Sequence, residues 1–188
     1  MKRIVFFLVA CSFSVLLSAQ FRAKMTANMS GTEKHYTVYS DGQNYRYEFT
    51  EEEQPGVIIV KPPENKTYVI MTQQKQYGVQ PCDGIMSLMN DPVQASLHFA
   101  DQKTVTERIT GTEKMKGYAC VKKEYFLKYP DGQEVKTYDV WFSEKLNFPV
   151  KIVFEPKNRV FLELSDIQPW KPDPSYFKVP DGYTEMKQ

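Results

Sequence analysis

The sequence predicts a mainly β (α+β) domain, a single curved antiparallel sheet of about nine to eleven strands with a short helical insertion covering its concave face. The first observation behind this is rhythm: turn-forming pairs such as Asp41-Gly42, Pro55-Gly56 and Asp131-Gly132 recur at short intervals, and the segments between them alternate apolar and polar as half-buried strands do. The second is composition. Aromatic residues make up 14% of the chain, and such side chains pack well on a pleated surface. The third is a single stretch, residues 73–100, where apolar residues fall at helical spacing instead.

The N-terminus is set apart from this pattern. Lys2 and Arg3 precede an apolar run from Ile4 to Leu17, and Leu17-Ser18-Ala19 places a small residue at the cut position before Gln20. The run is short for a bilayer span, so residues 1–19 read as a signal peptide and residues 20–188 as one domain. A second reading takes Leu8-Val9-Ala10-Cys11 as a lipobox, with Cys11 lipidated and the chain anchored to the outer membrane. The apolar run continues to Ala19, beyond Cys11, which favours cleavage at Ala19 and a periplasmic product.

The first strand runs from Phe21 to Met29. His35–Tyr39 and Tyr45–Phe49 flank Ser40-Asp41-Gly42-Gln43, a hairpin signal because Asp-Gly supplies the positive φ a tight turn needs. Tyr45, Tyr47 and Phe49 fall on one face. Pro55-Gly56 breaks the chain before Val57–Val60. Pro62-Pro63 ends that run, and Glu64-Asn65-Lys66 turns into Thr67–Thr72. In the insertion, Ile85, Met86, Leu88 and Met89 share one helical face, Asp83 is the expected N-cap, and Asp91-Pro92 interrupts before a second short helical turn over Val93–Phe99. Strands return with Thr104–Thr110, a turn at Glu113–Gly117, Tyr118–Tyr129, Pro130-Asp131-Gly132, and Val135–Phe142. Tyr138, Val140 and Phe142 share one face of that last strand. Val150–Phe154 and Val160–Ile167 form the final hairpin around Pro156-Lys157-Asn158. The Pro-rich tail from Pro169, with Trp170, Tyr176, Phe177, Val179 and Tyr183, is expected to lie across the sheet as a cap.

Charge and chemistry exclude several classes. Lys2 and Arg3 are two of 24 basic residues, so the mature chain carries 22 against 23 acidic ones, a near balance that gives no electrostatic case for nucleic acid. Two cysteines remain, Cys82 and Cys120. Export makes a disulfide between them the favoured expectation, against two buried thiols behaving as small hydrophobes. No Cys/His spacing suits zinc, and the Glu51-Glu52-Glu53 run lacks the ligand alternation of a calcium loop. The sequence holds no nucleophile elbow, zinc-protease motif, P-loop or dinucleotide fingerprint. His35 and His98 have no nucleophile motif beside them. The reading is therefore no catalytic residue, no cofactor and no metal.

Three stretches carry a family resemblance. They are Gly111-Thr112-Glu113-Lys114-Met115-Lys116-Gly117-Tyr118-Ala119-Cys120, Trp141-Phe142-Ser143-Glu144-Lys145-Leu146-Asn147-Phe148-Pro149-Val150-Lys151-Ile152, and the closing Pro174-Ser175-Tyr176-Phe177-Lys178-Val179-Pro180-Asp181-Gly182-Tyr183. Together they resemble turn-and-strand segments of the LolA/LolB-like superfamily of periplasmic lipoprotein carriers, in a branch of unassigned function. The resemblance implies a half-barrel sheet with helices in its mouth, shielding acyl chains between sheet and lid. No arginine here sits in a motif that carries over the lid latch of those carriers.

The function expected is an exported, non-enzymatic domain that binds a lipid or the acyl chain of a lipidated protein. Its expected cavity residues are Tyr45, Tyr47, Phe49, Tyr138, Val140 and Phe142 on the sheet, with Ile85, Met86, Leu88 and Met89 on the lid. Met suits such a surface because it adapts to varied apolar ligands. The alternative is an envelope protein-interaction or sensor module with a filled core. A monomer is expected in either case. A hydrolase would need a His beside a Ser, or two facing carboxylates, which sequence alone does not reveal.

Overall fold

The computed structural model describes residues 20–29, 31–82, 91, 93, 105–155 and 159–186. Twelve strands form one sheet: β1 (Phe21–Met29), β2 (Thr32–Ser40), β3 (Tyr45–Glu51), β4 (Gln54–Lys61), β5 (Lys66–Met71), β6 (Gln76–Gln80), β7 (Val105–Met115), β8 (Tyr118–Lys128), β9 (Glu134–Ser143), β10 (Phe148–Phe154), β11 (Arg159–Pro169) and β12 (Thr184–Glu185). Their spatial order is β12-β6-β5-β4-β3-β2-β1-β11-β10-β9-β8-β7. All pairs are antiparallel except β12, which lies parallel to β6.

This order follows from a chain of hairpins. β1 to β6 form a meander, and so do β7 to β11. The two meanders join where β11 returns beside β1, Met25 pairing with Leu164 and Ala27 with Leu162. In the β2–β3 turn, Gly42 at φ 95° takes the left-handed conformation that Asp-Gly foretells. Asp41 Oδ1 accepts from both the Gln43 and the Asn44 backbone N–H groups, at 2.8 and 2.7 Å, closing the turn.

Each central strand alternates between two faces. One, here the inner face, carries Phe21, Ala23, Met25 and Ala27 of β1, Tyr36 and Val38 of β2, Tyr47 of β3, Ile58 and Val60 of β4, and Leu162 and Leu164 of β11, all buried in one cluster. Cys82 and Val93 join that cluster, so described residues bordering the insertion do pack on this face. The opposite, outer face holds a smaller cluster of Val57, Ile59, Ile70 and Phe177, with Trp170, Val179 and Tyr183 packed against it.

Several expectations need correction. The tail lies across one face of the sheet, the outer one, because Val57 and Ile59 leave a second apolar patch there that Trp170, Phe177 and Val179 are placed to bury. The sheet is not strongly curled into a half-barrel. Its outermost strands, β12 and β7, stand at opposite ends of the order, and no strand pair closes it among the described residues. β6 and β12 escaped the sequence reading because both are short. Pro55-Gly56 lies inside β4 rather than ending a strand, and β7 runs through to Met115, so the turn shrinks to Lys116-Gly117. The expected Cys82–Cys120 disulfide is absent. Both are buried thiols, Cys82 accepting from the Thr67 hydroxyl at 3.4 Å. In the insertion Val93 is α-helical, where the second short helical turn was expected. The rest of the expected helical residues, Ile85, Met86, Leu88 and Met89 among them, lie outside the described residues, as do the signal peptide and Cys11.

Candidate functional site

The two aromatic stripes meet on the inner face. Tyr45, Tyr47 and Phe49 project from β3; Tyr138, Val140 and Phe142 project from β9. Tyr47 and Val140 are buried in the main cluster, and Tyr45, Phe49, Tyr138 and Phe142 are half-buried against it. The strands between them contribute Met25, Leu164 and Ile152, so the stripes are the two flanks of one apolar surface. Flat spacing of about 4.8 Å per strand would separate β3 from β10 by roughly 19 Å. Yet the Tyr45 ring lies 5.1 Å from that of Phe148 on β10, and the Tyr45 hydroxyl donates to the Asn147 carbonyl at 2.9 Å. The right-handed twist of the sheet brings these strand ends over one another. The proposed lid residues Ile85, Met86, Leu88 and Met89 lie outside the described residues.

A feature the sequence reading missed is the polar group set into this surface. Asp91 is 1% exposed, and its carboxylate accepts from the Val93 backbone N–H at 2.9 Å. It stands close enough to β2 and β3 to act on three tyrosines. Burial, with added negative charge from Glu51 and Asp91, pushes Tyr36 up to about 12. Burial, with Asp91 and Asp41, does the same to Tyr45. Tyr47 is held well above the ordinary tyrosine value, by burial first and then by Asp91. Both the charge of Asp91 and hydrogen bonding to it contribute to that rise. The sequence marked Asp91-Pro92 only as a helix stop; the signal available was an acid within a largely apolar insertion that holds Met89 and Val93 nearby.

Two cavities open beside Phe49. One of about 340 Å³ is lined by Phe49, Gly56, Val69, Ile70 and Met71, with Glu51 at its rim. It falls within the size range of small-ligand pockets. The other, about 870 Å³, spreads over the strands β11, β1, β2, β3 and β4 with a mixed lining, Lys24, Thr26, His35, Glu48 and Ser165 beside Met25, Tyr36, Phe49 and Val57. Of the residues expected to form a ligand cavity, Phe49 lines both.

The larger groove contains an arrangement that resembles acid–base machinery. His35 Nδ1 lies 3.4 Å from Thr26 Oγ1, and Nε2 lies 3.4 Å from Glu33. Both contacts are longer than the 2.6–3.2 Å of a working nucleophile–base pair. The imidazole and carboxylate side chains are 73% and 60% exposed, so water competes for both. The trio is a solvated cross-strand contact: Thr26 pairs directly with His35 in the β1–β2 ladder. Among the described residues, no group of three or more His, Cys, Asp or Glu is placed to hold a metal, and no helix is long and apolar enough to cross a membrane.

A family model described as a domain of unknown function, DUF4412, matches residues 20–147. The chain belongs to the DUF4412 family. The matched part of this DUF4412 chain ends after β9, whereas β10, β11 and β12 of the sheet lie beyond it. None of the curated proteins matches the sequence. Among solved structures, the chain is similar to an uncharacterized conserved protein from Thermus thermophilus. Identity is 13% and the TM-score 0.56, covering 92% of this chain and 93% of that one. It is similar also to the complex of Pseudomonas aeruginosa MucA and MucB, at 10% identity and TM-score 0.51, covering 88% of this chain and 59% of that one. A LolA superfamily protein from Nitrosomonas europaea aligns at 14% identity and TM-score 0.47, covering 86% and 90%. At these identities the likeness is one of fold. The fold likeness that stands is to the Thermus thermophilus protein and to the MucA/MucB complex.

Proposed function

We propose that this chain is an exported, non-catalytic binding domain that takes a lipid, or the acyl chain of a lipidated protein, on the inner face of its sheet. One observation carries the reading: Tyr45, Phe49, Tyr138 and Phe142 flank a single apolar surface and are only half-buried against it. Each ligand methylene buried there contributes roughly 0.8 kcal/mol before the cost of association. The cavity beside Phe49, with Val69 and Met71 in its wall, gives an acyl chain a place to enter. The MucA/MucB complex and the LolA superfamily protein share the general fold, and neither transfers a ligand to this chain.

A second reading has its own observation. Tyr47, Val140, Ile152 and Leu164 are almost wholly buried at the centre of the same face, as in a core that fills itself. The domain would then act through an envelope protein partner and hold no ligand.

The test is native mass spectrometry and lipid extraction of protein exported by its own N-terminal segment. The first reading expects stoichiometric co-purified lipid, lost in Phe49→Asp and Phe142→Asp variants that keep a strand-type circular dichroism spectrum. Wild-type protein that is lipid-free and does not take up added fatty acid overturns it and leaves the second.

A further inference from the structure

A groove crosses the outer face of the sheet. Ser165, Lys24, Thr37, Glu48 and Val57 are paired in turn from β11 through β1, β2 and β3 to β4. Side chains at paired positions share a face, so this row stands with Val57 on the outer face, opposite Tyr36 and Phe49. Glu163, Thr26 and His35 are paired in the next row. The first row, with Thr26 and His35, lines the cavity of about 870 Å³. A second cavity, of about 310 Å³, shares Thr26, Glu33 and Ser165 with it and adds Asn28, Lys116 and Glu163. The row crosses four strand intervals of about 4.8 Å and is roughly 19 Å long. β11 is bulged beside it: the register shifts between Arg22 and Lys24, and Asp166 takes φ 49°. A bulge re-aims a side chain, and Asp166 meets Lys24 at 2.9 Å.

Every charged side chain of the two linings is engaged by another. Lys24 is held by Asp166, Lys34 by Glu51 at 2.7 Å, Glu48 by Arg46 at 2.8 Å and Glu163 by Lys116 at 3.1 Å, and Glu33 lies 3.4 Å from the His35 ring. A phosphate, a carboxylate or a polyamine would have to break these pairs. The hydroxyls of Thr37, Thr50 and Ser165 make no hydrogen bond among the described residues. Each offers one donor and two acceptor lone pairs. The five strands beneath are paired on both sides, so their backbone gives an extended peptide no edge to join.

We propose that this groove binds a neutral saccharide chain. Sugar hydroxyls both donate and accept, which complements the Thr37, Thr50 and Ser165 hydroxyls, and they need no counter-ion. The carboxylates of Glu33, Glu48 and Glu163 keep lone pairs beyond those their partners use, and these accept from ring hydroxyls. The length of the row suits several rings rather than one. The side chains of the row point away from Tyr45, Phe49, Tyr138 and Phe142, which project from the inner face. One glycolipid therefore does not fill both surfaces, and the ligand is a free glycan rather than the headgroup of a lipid held on the inner face. Glycan binding is independent of acyl-chain binding.

Titration of the isotope-labelled full chain with maltose, maltohexaose and chitohexaose, followed through its amide resonances, tests this. Saturable shifts are expected at Thr26, Thr37 and Ser165, with a hexasaccharide binding more tightly than maltose. The double variant Thr37→Val, Ser165→Ala removes two hydroxyls from the groove and is expected to weaken hexasaccharide binding by about tenfold. Both side chains lie outside the core, and an unchanged thermal transition confirms folding. Hexagalacturonate, of similar length but carrying a carboxylate on each ring, is expected to bind at least tenfold more weakly. Four results overturn the proposal: no shift with any of the three neutral sugars, shifts confined to Tyr138 and Phe142 on the inner face, equal binding of hexagalacturonate, or undiminished binding by the double variant.

Discussion

The Phe49 ring lies directly over Gly56 on the neighbouring strand: a Cβ built at residue 56 would stand 2.4 Å from Phe49 Cζ and under 3.0 Å from both ring Cε atoms. The two residues are paired in the β3–β4 ladder, so the glycine makes room for the aromatic ring that lines both cavities. Gly56→Ala is expected to force the ring off its seat and destabilise the domain by roughly 1–3 kcal/mol, the usual cost of overpacking. Urea unfolding of the two proteins measures it, and an unchanged midpoint would show that the ring moves freely.

Truncation after Asn147 should abolish folding, although the family match ends there. β10 and β11 sit in the middle of the sheet, between β9 and β1, and carry Phe148, Val150, Ile152, Leu162 and Leu164 of the core. Without them β1 to β6 and β7 to β9 have no shared strand. Limited proteolysis is expected to leave no protected fragment of residues 20–147.

Cys82 and Cys120 should behave as inert thiols. Burial pushes the Cys120 thiol up, away from the reactive thiolate. A reducing agent should leave the melting temperature unchanged. Alkylation without reductant should label both residues in denaturant and neither in the folded protein. A mass lower by two hydrogens would restore the disulfide.

Alkali should unfold the domain earlier than its carboxylates would suggest. Tyr36 and Tyr45 ionise near 12 in the folded protein and at about the ordinary 10.0 once unfolded. A raised folded value means the stabilisation is fully present below pH 10 and is lost as pH rises from 10 to 12. Urea midpoints between pH 9 and 12 should fall as tyrosinate absorbance rises. Flat midpoints would mean that these hydroxyls reach water.

Lys136 holds three carboxylates: Glu124 at 2.9 Å, Asp139 at 2.9 Å and Glu155 at 3.6 Å. Hydrogen bonding to Asp139, then burial, raises the Glu155 carboxyl above the ordinary range. Lys136→Met should cost about 1.5–3 kcal/mol at pH 7, the range for charged hydrogen bonds. The loss should shrink near pH 4, where Glu155 is protonated in both states and repels Asp139 less. An equal loss at both values would assign the effect to packing.

Much of the fold was legible because it rests on local rules. The Asp41-Gly42 and Asp131-Gly132 turns fix hairpins through backbone conformation, and the alternation of Tyr45, Tyr47 and Phe49 fixes which side chains share a face. Those features lie within a few residues of one another and need no tertiary partner. Strands β6 and β12 were not legible because five and two residues are too few for a period to emerge.

The sequence by itself determined the antiparallel, hairpin-built sheet and the two aromatic stripes that face one way along β3 and β9. Only the tertiary structure decided that β11 docks on β1, which makes those stripes flanks of one surface. It also set Asp91 beside Tyr47, kept Cys82 and Cys120 apart as separate thiols, and laid the tail on the outer face. The physical reason is range. Turn conformation and side-chain alternation act between neighbours in the chain, whereas burial, charge proximity and edge exposure depend on contacts between residues as far apart as Tyr45 and Asn147.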